Sequence, residues 1–477
     1  MPLPPRRIIA GHFLIEPAMS RAPSRHAIAP VFAAMLLFTL PPTEAATAKK
    51  DADIEKIVRE ISAKRIEATI RKLVGFETRN SLSETTSDSK GIGAARRWIK
   101  SELDRCSANN GGRLKVEFDE HLAPVSARVP QPTPIVNVVA TLPGEQPESR
   151  DRVYVVSGHY DSMRGTPTDP DGFAPGANDD GSGTAAVMEL ACVMSKYKFK
   201  STLIFMTVAG EEQGLLGATF FAKAAKAKGM NVAGMITNDI IGNTRGSNGV
   251  VERKKVRLFA EGVPPLKEMP DEIVQLIRTG GENDSTPRQL GRFIKQAGEC
   301  YVPGMKVELI YRRDRYLRGG DHFPFLDAGY PAVRMTEYIE DFRHQHQNVR
   351  EENGVKFGDL PEFVDFAYAA DVARINAAAL ASLANSPSAP QDVQMENLFL
   401  ENNTTFRWKA NPEPDIAGYR VVWRDTTAPF WQKSEDFPNV TRATVIGTSK
   451  DNVVFGLQAI DKAGNASVAT FPKPFRR

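Results

Sequence analysis

Residues 202–217 read TLIFMTVAGEEQGLLG, and this stretch is the clearest indication of the fold class. Its first half, Thr202 to Val208, is a short run of apolar, β-branched and aromatic residues, which is typical of a buried strand. After Gly210 and the carboxylates Glu211 and Glu212, a helical pattern begins at Leu215. A buried strand therefore leads into a helix, and two adjacent carboxylates lie at the junction.

Strand-like and helix-like patterns alternate on both sides of this junction. The predicted strands are 135–142, 153–157, 202–208, 234–237, 307–311 and 332–335, and the predicted helices are 51–76, 94–103, 184–197, 215–226, 287–297 and 363–384. This alternation predicts an α/β fold with a mostly parallel or mixed sheet covered by helices on both faces. Ligands of such folds bind beyond the carboxyl ends of the strands, so the chemistry is expected there.

The pattern changes at the segment Ser386-Pro-Ser-Ala-Pro390. The residues after it form short β-like runs separated by turn residues, which is typical of a small sandwich. We therefore predict an α/β domain over residues 47–385, a linker over 386–390 and a small all-β sandwich over 391–477.

The composition is that of a globular protein. The chain has 477 residues, of which 41% are hydrophobic and 25% charged, and this excludes a disordered, collagen-like or disulfide-stapled chain. The net charge of +3, from 61 Lys and Arg against 58 Asp and Glu, gives no basic footprint for a phosphate backbone. Nucleic acid is therefore not an expected partner. The three cysteines allow at most one disulfide, and the sequence does not identify the pair.

The amino terminus has the layout of a secretory signal peptide. An apolar run from Ala27 to Leu40 is preceded by arginines and followed by prolines and a Thr-Glu-Ala segment. The run is shorter than the about 20 residues that span a bilayer. We predict removal of residues 1–46, no stable membrane insertion afterwards, and export to the periplasm or the extracellular space. Met19 would be a more typical start than Met1, and an uncleaved anchoring helix is the alternative.

Acidic and imidazole side chains follow the predicted strand ends. They are His159 and Asp161, Asp179 in a glycine-rich turn, Glu211 and Glu212, Asp239, and finally His344 and His346. Ordinary roles remain open for several of them, such as a surface hydrogen bond for His159 with Asp161 and a helix cap for Asp179. Glu211 and Glu212 are more specific, because adjacent carboxylates in a partly buried cleft need a cation or a shared proton to offset their repulsion.

Histidine and carboxylate groups without cysteine suit zinc or a similar divalent cation. Three protein ligands per metal with one shared carboxylate leave positions open for water, as in a catalytic site. The Gly-x-Ser-x-Gly motif and the active-site cysteine signature of other hydrolases are absent from these segments.

The order of these motifs resembles that of a known family. The motifs are His159-x-Asp161, Gly-Ala-Asn-Asp179-Asp, Glu211-Glu212-x-Gly-Leu-x-Gly, Asn-Asp239 and a late histidine, and they resemble the co-catalytic di-zinc exopeptidases of the secreted leucyl aminopeptidase and aminopeptidase Y type. The resemblance covers most of residues 54–385. It implies a zinc aminopeptidase-like fold and two bound divalent ions, with zinc as the preferred metal.

The resemblance also implies individual roles. One metal would be held by His159, Asp179 and Asp239, and the other by Asp179, Glu212 and His344. Asp161 matches the carboxylate that orients the first histidine, and Glu211 matches the general base. His344 is preferred over His346 because the family's ligand is followed four residues later by Asp-Thr, and Asn348-Val349 lies at that offset only from His344. A cis peptide bond between Asp179 and Asp180 is implied as well.

These roles predict a zinc-dependent aminopeptidase that removes amino-terminal residues from peptides. The metals would lower the pKa of a bridging water, and Glu211 would take its proton and return it to the leaving amine. A glutaminyl cyclase-like acyltransferase remains an alternative, because Asp321-His-Phe-Pro-Phe325 resembles the corresponding segment of both enzymes. A non-catalytic binding or adhesion protein with a degenerate peptidase fold is a third hypothesis, against which the complete ligand set and Glu211 argue.

The carboxyl-terminal segment resembles a fibronectin type III domain. The residues concerned are Phe406-x-Trp408, Gly418-Tyr419 and Ala459-Ile-Asp461-Lys-Ala-Gly464-Asn465. We interpret this segment as a structural appendage, with contact to a protein or a polysaccharide as the alternative.

Overall fold

The computed structural model describes residues 50–265, 267–398 and 401–475. The predicted signal peptide, with its alternative start at Met19, lies outside these residues. From Lys50 onward the chain forms one compact unit. None of the helices in the described ranges is long and apolar enough to cross a membrane.

The elements of the α/β part follow one another in the predicted alternation. The helices are α1 (Ala52–Glu60), α2 (Ala63–Val74), α3 (Gly91–Asn109), α4 (Gly181–Met194), α5 (Leu216–Ala227), α6 (Asp271–Arg278), α7 (Thr286–Tyr301), α8 (His322–Asp327) and α9 (Phe366–Asn385), with a short 3-10 helix at Pro361–Phe363. The strands of this part are β1 (Lys115–Ala123), β2 (Thr133–Leu142), β3 (Arg152–His159), β4 (Thr202–Val208), β5 (Asn231–Asn238), β6 (Lys255–Ala260), β7 (Lys306–Ile310), β8 (Ala332–Glu337), β9 (Arg350–Glu352) and β10 (Val355–Phe357).

The central sheet is mixed, as predicted. Its eight strands have the order β1-β2-β4-β3-β5-β8-β6-β7. The four middle strands β4, β3, β5 and β8 are parallel, whereas β2 and β6 pair with them in the antiparallel sense. The carboxyl ends of the four middle strands therefore lie at one edge of the sheet.

Helices cover both faces of the sheet. Successive residues of a strand point to opposite faces. Tyr154 and Val156 of β3 accordingly pack in one core cluster with residues of α1–α4, α7 and α9, whereas Val153 and Val155 pack in a second with residues of α5 and α8. The α/β architecture with two covered faces is thus confirmed.

The single helix predicted over residues 51–76 is wrong, because α1 and α2 are separate helices. Ile61 between them has an extended backbone, with φ −64° and ψ 122°. Ser62 then caps α2 by accepting a hydrogen bond from the Arg65 N–H. Apolar residues at a helical period continue across this break, so the pattern did not reveal it. Strands β1 and β6 were also not predicted, and β1 is an edge strand with many exposed residues.

The carboxyl-terminal part is an all-β sandwich. Its strands are β11 (Gln391–Met395), β12 (Thr404–Lys409), β13 (Ile416–Asp425), β14 (Lys433–Pro438), β15 (Arg442–Val445), β16 (Val453–Asp461) and β17 (Lys473–Pro474). They form two sheets, ordered β15-β12-β11-β17 and β14-β13-β16. Phe406 and Trp408 from the first sheet share a core with Tyr419 and Phe455 from the second. The closer likeness to a fibronectin type III domain stays a prediction.

One disulfide joins two helices of the α/β part. Cys106 of α3 and Cys192 of α4 are bonded, with their Cα atoms 5.2 Å apart. Cys300 is free.

Candidate metal centre

The candidate residues meet at the edge where the parallel strands end. His159 is the last residue of β3, Asp239 directly follows β5, and the turn after β4 carries Glu211 and Glu212. Asp179 approaches the same edge from the amino-terminal side of α4. Neighbouring parallel strands end at the same edge of a sheet. The sheet therefore brings His159 and Asp239 together, although they are 80 positions apart in the sequence.

Two groups of three side chains could each hold a metal ion. The first is His159, Asp179 and Asp239, and the second is Asp179, Glu212 and His346; within each group the donor atoms lie within 4.8 Å of one another. His159 Nε2 is 3.2 Å from Asp179 Oδ1 and 3.8 Å from Asp239 Oδ1. Asp179 belongs to both groups, which is the shared carboxylate that the sequence predicts.

His344 is not part of either group, which corrects the sequence-based choice of the last ligand. His346 Nε2 lies 2.8 Å from Asp179 Oδ2 and 3.4 Å from Glu212 Oε1. His344 instead stacks on Phe363, with ring centroids 3.6 Å apart, and its Nδ1 is 3.9 Å from Asp341 Oδ2. His346 has a left-handed backbone (φ 53°), which is uncommon for a residue with a side chain. The offset to Asn348 therefore gave the wrong histidine, because the turn through residues 342–346 decides which imidazole faces the carboxylates.

The turn before α4 holds Asp179 in place. The Asp179–Asp180 peptide bond is cis, which confirms the prediction. Asp180 caps α4 by accepting from the Gly183 N–H (2.8 Å), and its other oxygen accepts from the His159 N–H (2.9 Å). Asp359 accepts hydrogen bonds from the backbone N–H groups of Asn178 and Asp179. The capping residue Asp180 therefore holds the backbone at two metal-binding candidates, His159 through a hydrogen bond and Asp179 as its neighbour in the chain.

Asp161 connects His159 with the acidic turn after β4. Its backbone carbonyl is 3.2 Å from His159 Nδ1, and its carboxylate oxygen Oδ1 is 3.5 Å from the same nitrogen. The carboxylate also accepts from the N–H groups of Glu211 (3.4 Å) and Glu212 (3.2 Å). Its position fits the orienting role that the resemblance implies, since ligating histidines usually give their second nitrogen to such a partner.

Two further residues support the centre and were not predicted. Arg334 is fully buried, and its Nη2 lies 3.1 Å from Asp239 Oδ1. Arg79 is also buried. It donates to the backbone carbonyls of Leu73 in α2, of Tyr160 directly after His159, and of Pro175 and Gly176 in the turn before Asp179. Neither position lies at a strand end next to a motif, so the sequence offered no signal for them.

The charged groups at the candidate metal centre shift one another's pKa values. Burial alone would lower the pKa of His346, but the carboxylates of Glu212 and Asp179 raise it to about 11. Burial raises the pKa of Glu211 well above its ordinary value, His159 opposes the shift, and the charges of Asp239 and Glu212 add to it. Burial likewise raises the pKa of Asp321, at the start of α8, to about 7. So many buried carboxylates at one place need cations to offset their repulsion.

The donor set fits zinc. Each group offers imidazole nitrogen together with carboxylate oxygen, and neither contains a thiolate. Glu212 Oε1 is buried and accepts no hydrogen bond from any described residue, as expected for an atom that is reserved for a metal. Glu211 lies beside both groups but belongs to neither.

The comparisons with known proteins agree with this donor set. Residues 137–355 match the family model described as Peptidase family M28. A probable zinc metalloprotease of Leptosphaeria maculans is 46% identical over 425 residues, which cover 89% of this chain and 97% of that protein. The chain therefore belongs to peptidase family M28. It is a hydrolase of the zinc metalloprotease type that acts on peptides, and two zinc ions are its cofactors.

The chain also has a limited similarity to solved structures. LapA of Legionella pneumophila has 18% sequence identity and a TM-score of 0.49, and the match covers 70% of this chain and 77% of that one. A glutaminyl cyclase of Porphyromonas gingivalis has 16% identity and a TM-score of 0.44, covering 67% of this chain and 98% of that one.

Proposed function

We propose that this protein is a zinc-dependent aminopeptidase, which hydrolyses the amino-terminal peptide bond of its substrates. The observation that carries this proposal is the pair of donor groups that share Asp179, with Glu211 beside them and free of both. When bound, zinc supplies an activated water and polarises the substrate carbonyl. His159, Asp179 and Asp239 would hold one ion, and Asp179, Glu212 and His346 the other.

Glu211 has the properties of the general base. Its side chain is only partly shielded from solvent, so a substrate can reach it, whereas Glu212 is buried. Its charge interacts with those of His159, Asp239 and Glu212, so its carboxylate lies where it can take a proton from the attacking water and return it to the leaving amine nitrogen. The hydrogen bond from its N–H to Asp161 fixes the backbone from which the carboxylate acts.

A glutaminyl cyclase activity is the second candidate. The observation in its favour is Asp321, a buried carboxylate whose two oxygens accept no hydrogen bond from any described residue. Its charge interacts with those of His159 and Asp239, so it lies near the candidate metal centre. A third acidic group at this place would suit proton transfer during ring closure of a glutaminyl residue as well as peptide hydrolysis.

Two assays on the zinc-loaded protein separate the candidates. Release of aminomethylcoumarin from aminoacyl derivatives reports hydrolysis, and formation of pyroglutamate from a glutaminyl peptide reports cyclisation. We expect hydrolysis, its loss with a chelator and its return with zinc. Pyroglutamate formation without hydrolysis would replace the proposal with the cyclase, and the absence of both reactions would refute both candidates.

Two variants test the proposed division of roles between adjacent glutamates. We expect Glu211→Gln to keep two zinc ions per chain and to lose nearly all turnover, because only the base is removed. Glu212→Gln should weaken one of the two metal sites. A Glu211→Gln enzyme with most of its kcat would assign the base to another residue.

We also infer export of the protein, to the periplasm or the extracellular space. The signal-like sequence of residues 1–46 supports this inference, and so does the Cys106–Cys192 disulfide, since disulfides persist mainly in oxidising compartments. Amino-terminal sequencing of the protein from its native host would test it, and a mature chain that begins near residue 47 is expected.

A further inference from the structure

The two metal-binding groups have the same kinds of donor atom. We call the group of His159, Asp179 and Asp239 the His159 site, and the group of Asp179, Glu212 and His346 the His346 site. Each site offers one imidazole and two carboxylates, and one carboxylate is common to both. The donor atoms alone therefore give no reason for a difference in zinc affinity, so any difference comes from the residues around them.

Arg334 of β8 holds a positive charge against the His159 site. Its Nη2 lies 3.1 Å from Asp239 Oδ1, and this oxygen is also the one that lies 3.8 Å from His159 Nε2. One carboxylate oxygen therefore faces both the guanidinium and the imidazole nitrogen that would bind the metal. A guanidinium stays protonated in proteins, so Arg334 keeps its charge when zinc is bound.

Other carboxylates balance the charge of Arg334 only in part. Its Nη1 lies 3.1 Å from Asp314 Oδ2, but Asp314 also pairs with Arg315, so one negative charge is shared between two arginines. Glu211 and Asp321 interact with Arg334 through their charges, yet neither forms an ion pair with it within the described ranges. The side chain of Arg334 has no exposed surface, so water does not screen its charge.

The His346 site has no such cation against its own ligands. In the part of the chain that the structure describes, Glu212 and Asp179 form ion pairs with histidines and with no arginine or lysine. Arg128 contacts Glu212 only by donating to its backbone carbonyl (2.9 Å). Arg79 interacts with the charge of Asp179, but this residue is common to both sites. The carboxylate of Glu212 therefore keeps its full charge for a metal ion.

The hydrogen bond from Arg334 also orients Asp239, and orientation acts in the opposite direction to charge. Outer partners that orient a ligand typically strengthen metal binding about 10- to 100-fold. Repulsion between an unscreened unit charge and a divalent ion bound to the same carboxylate is the larger effect in a buried site. The backbone of Asp239 is also held without the guanidinium, because its N–H donates to the Met335 carbonyl (3.2 Å). The net effect of Arg334 is therefore to weaken metal binding.

We propose that Arg334 lowers the zinc affinity of the His159 site, so that this site loses its ion first and exchanges it for another divalent ion, while the His346 site keeps its zinc. The inference rests on the metal ligands assigned under the proposed function, and it names the residue that makes the two sites unequal. Arg334 acts through Asp239, which it contacts.

The first test uses the zinc-loaded wild-type protein. Dialysis against chelator-buffered solutions of decreasing free zinc removes the ions stepwise, and mass-spectrometric metal analysis counts those that remain. We expect the first ion to leave at a free zinc concentration about tenfold or more above that for the second. Anomalous diffraction at the zinc edge from crystals of the one-zinc protein should then show an ion at the His346 site alone. Zinc at the His159 site, or equally at both, would overturn the inference.

This test does not depend on catalysis. A protein that holds its two ions with the expected inequality but hydrolyses no aminoacyl substrate would refute the proposed aminopeptidase and leave the inference intact. A fully loaded crystal without zinc at either site would instead refute the ligand assignment, and the inference would fail with it.

The second test separates the charge of Arg334 from its orienting hydrogen bond by the sign of the change. Arg334→Met removes the charge, and we expect it to tighten the binding of the weaker zinc about tenfold. Asp314→Asn removes a carboxylate that balances Arg334, so it should weaken the binding of the same ion. If the hydrogen bond from Arg334 mattered only for orientation, Arg334→Met would weaken zinc binding instead, and this result would overturn the inference.

Two further variants serve as safeguards. Arg334→Met combined with Asp314→Asn removes one charge of each sign, so the buried charges stay balanced if the single variant does not fold. The double variant should bind the weaker zinc more tightly than Asp314→Asn alone, and weaker binding would overturn the inference. Arg315→Met is the matched control, because Arg315 pairs with Asp314 and Glu340 but with no metal ligand. Its effect should be smaller than that of Arg334→Met, and an equal effect would contradict a specific role for Arg334.

Discussion

At the scale of single residues, the two histidines of the turn through residues 342–346 have different surroundings. His346 faces Asp179 and Glu212, whereas His344 lies between Phe363 and Asp341. A metal needs donor atoms at about 2 Å from a common point, so a side chain that is stacked on another ring cannot serve without leaving that contact.

This difference predicts the metal content of two variants. We expect His346→Ala to lose one of the two zinc ions per chain, since three ligands would become two, and His344→Ala to keep both. Mass-spectrometric metal analysis of the purified variants after dialysis against metal-free buffer gives the counts. The reverse pattern, one zinc in His344→Ala and two in His346→Ala, would show that the turn has another conformation.

His322 of α8 is the clearest source of acid sensitivity outside the metal-binding residues. It is fully buried, and burial lowers its pKa to about 4, although Asp314 opposes the shift. In the unfolded chain its pKa is about 6.5, so between these two values the unfolded state binds the proton and the folded state does not. The stabilisation is therefore complete above pH 6.5 and declines as the pH falls towards 4, by about 3 kcal/mol in total.

An NMR titration checks this prediction. The imidazole signal of His322, identified by its absence from a His322→Asn spectrum, should remain that of a neutral ring at pH 5. A midpoint near 6.5 in the folded protein would contradict the assignment. The free energy of unfolding of the His322→Asn variant should also depend less steeply on pH between 4 and 6.5 than that of the wild type.

At the scale of elements, α4 is the helix that links the core to the metal centre. Thirteen of its residues are buried, so neighbouring elements pack against the helix on all sides and fix its position. Its amino terminus carries Asp180, which caps the helix and holds the His159 N–H, and its carboxyl-terminal half carries Cys192, which is bonded to Cys106 of α3. A displacement of α4 would therefore move the shared ligand Asp179.

This arrangement predicts the effect of removing the disulfide. The bonded residues are 86 positions apart, so the bond restrains a long loop of the unfolded chain, and we expect Cys106→Ala with Cys192→Ala to lose about 2–4 kcal/mol of unfolding free energy. Denaturant unfolding of both proteins measures the difference. Cys300→Ala is the control and should stay within about 0.5 kcal/mol of the wild type, apart from any packing lost at this half-buried site. A disulfide variant as stable as the wild type would contradict the prediction.

At the scale of the whole molecule, the sandwich is joined to the α/β part by buried ion pairs. Asp284 at the start of α7 contacts Arg424 of β13 at 2.7 Å, and Arg152 of β3 contacts Glu413 at 2.9 Å. Lys200 reaches both Asp415 and Asp461. The segment 386–390 is held as well, because Ser388 donates to Glu413 and Ser386 accepts from Arg152. It is thus a fixed connection, although its composition resembles that of a linker.

These contacts predict that the sandwich contributes to the stability of the whole chain. We expect Arg424→Ala to lower the free energy of unfolding by about 2 kcal/mol, because it leaves the buried carboxylate of Asp284 with Arg292 as its remaining charged partner. Arg420→Ala is a matched control on the same strand. Its partner Asp436 is exposed, so the loss should be about 0–1 kcal/mol. Equal losses in the two variants would contradict a stabilising role for the buried contact.

The sequence by itself determined the α/β class, the change to an all-β segment near residue 386 and the types of metal ligand. Each of these depends on local information. The strand Thr202–Val208 was predicted with its observed bounds, since a buried apolar run between polar residues has few other structures. Ligands at the ends of parallel strands could be predicted together, because the fold class alone places those ends at one edge. The resemblance of the motifs added the cis bond and, except for the last histidine, the grouping of the ligands.

Only the tertiary structure decided the questions that depend on distant contacts. It chose His346 over His344, because the direction of a side chain in a turn depends on the backbone and on what packs against it. It divided the predicted first helix at Ile61, where a single residue leaves the helical conformation while the apolar period continues. It also brought Arg79, Arg334 and Asp359 to the metal centre from segments without a motif. Local sequence sets what a residue can do, whereas packing between distant segments sets which residues do it together.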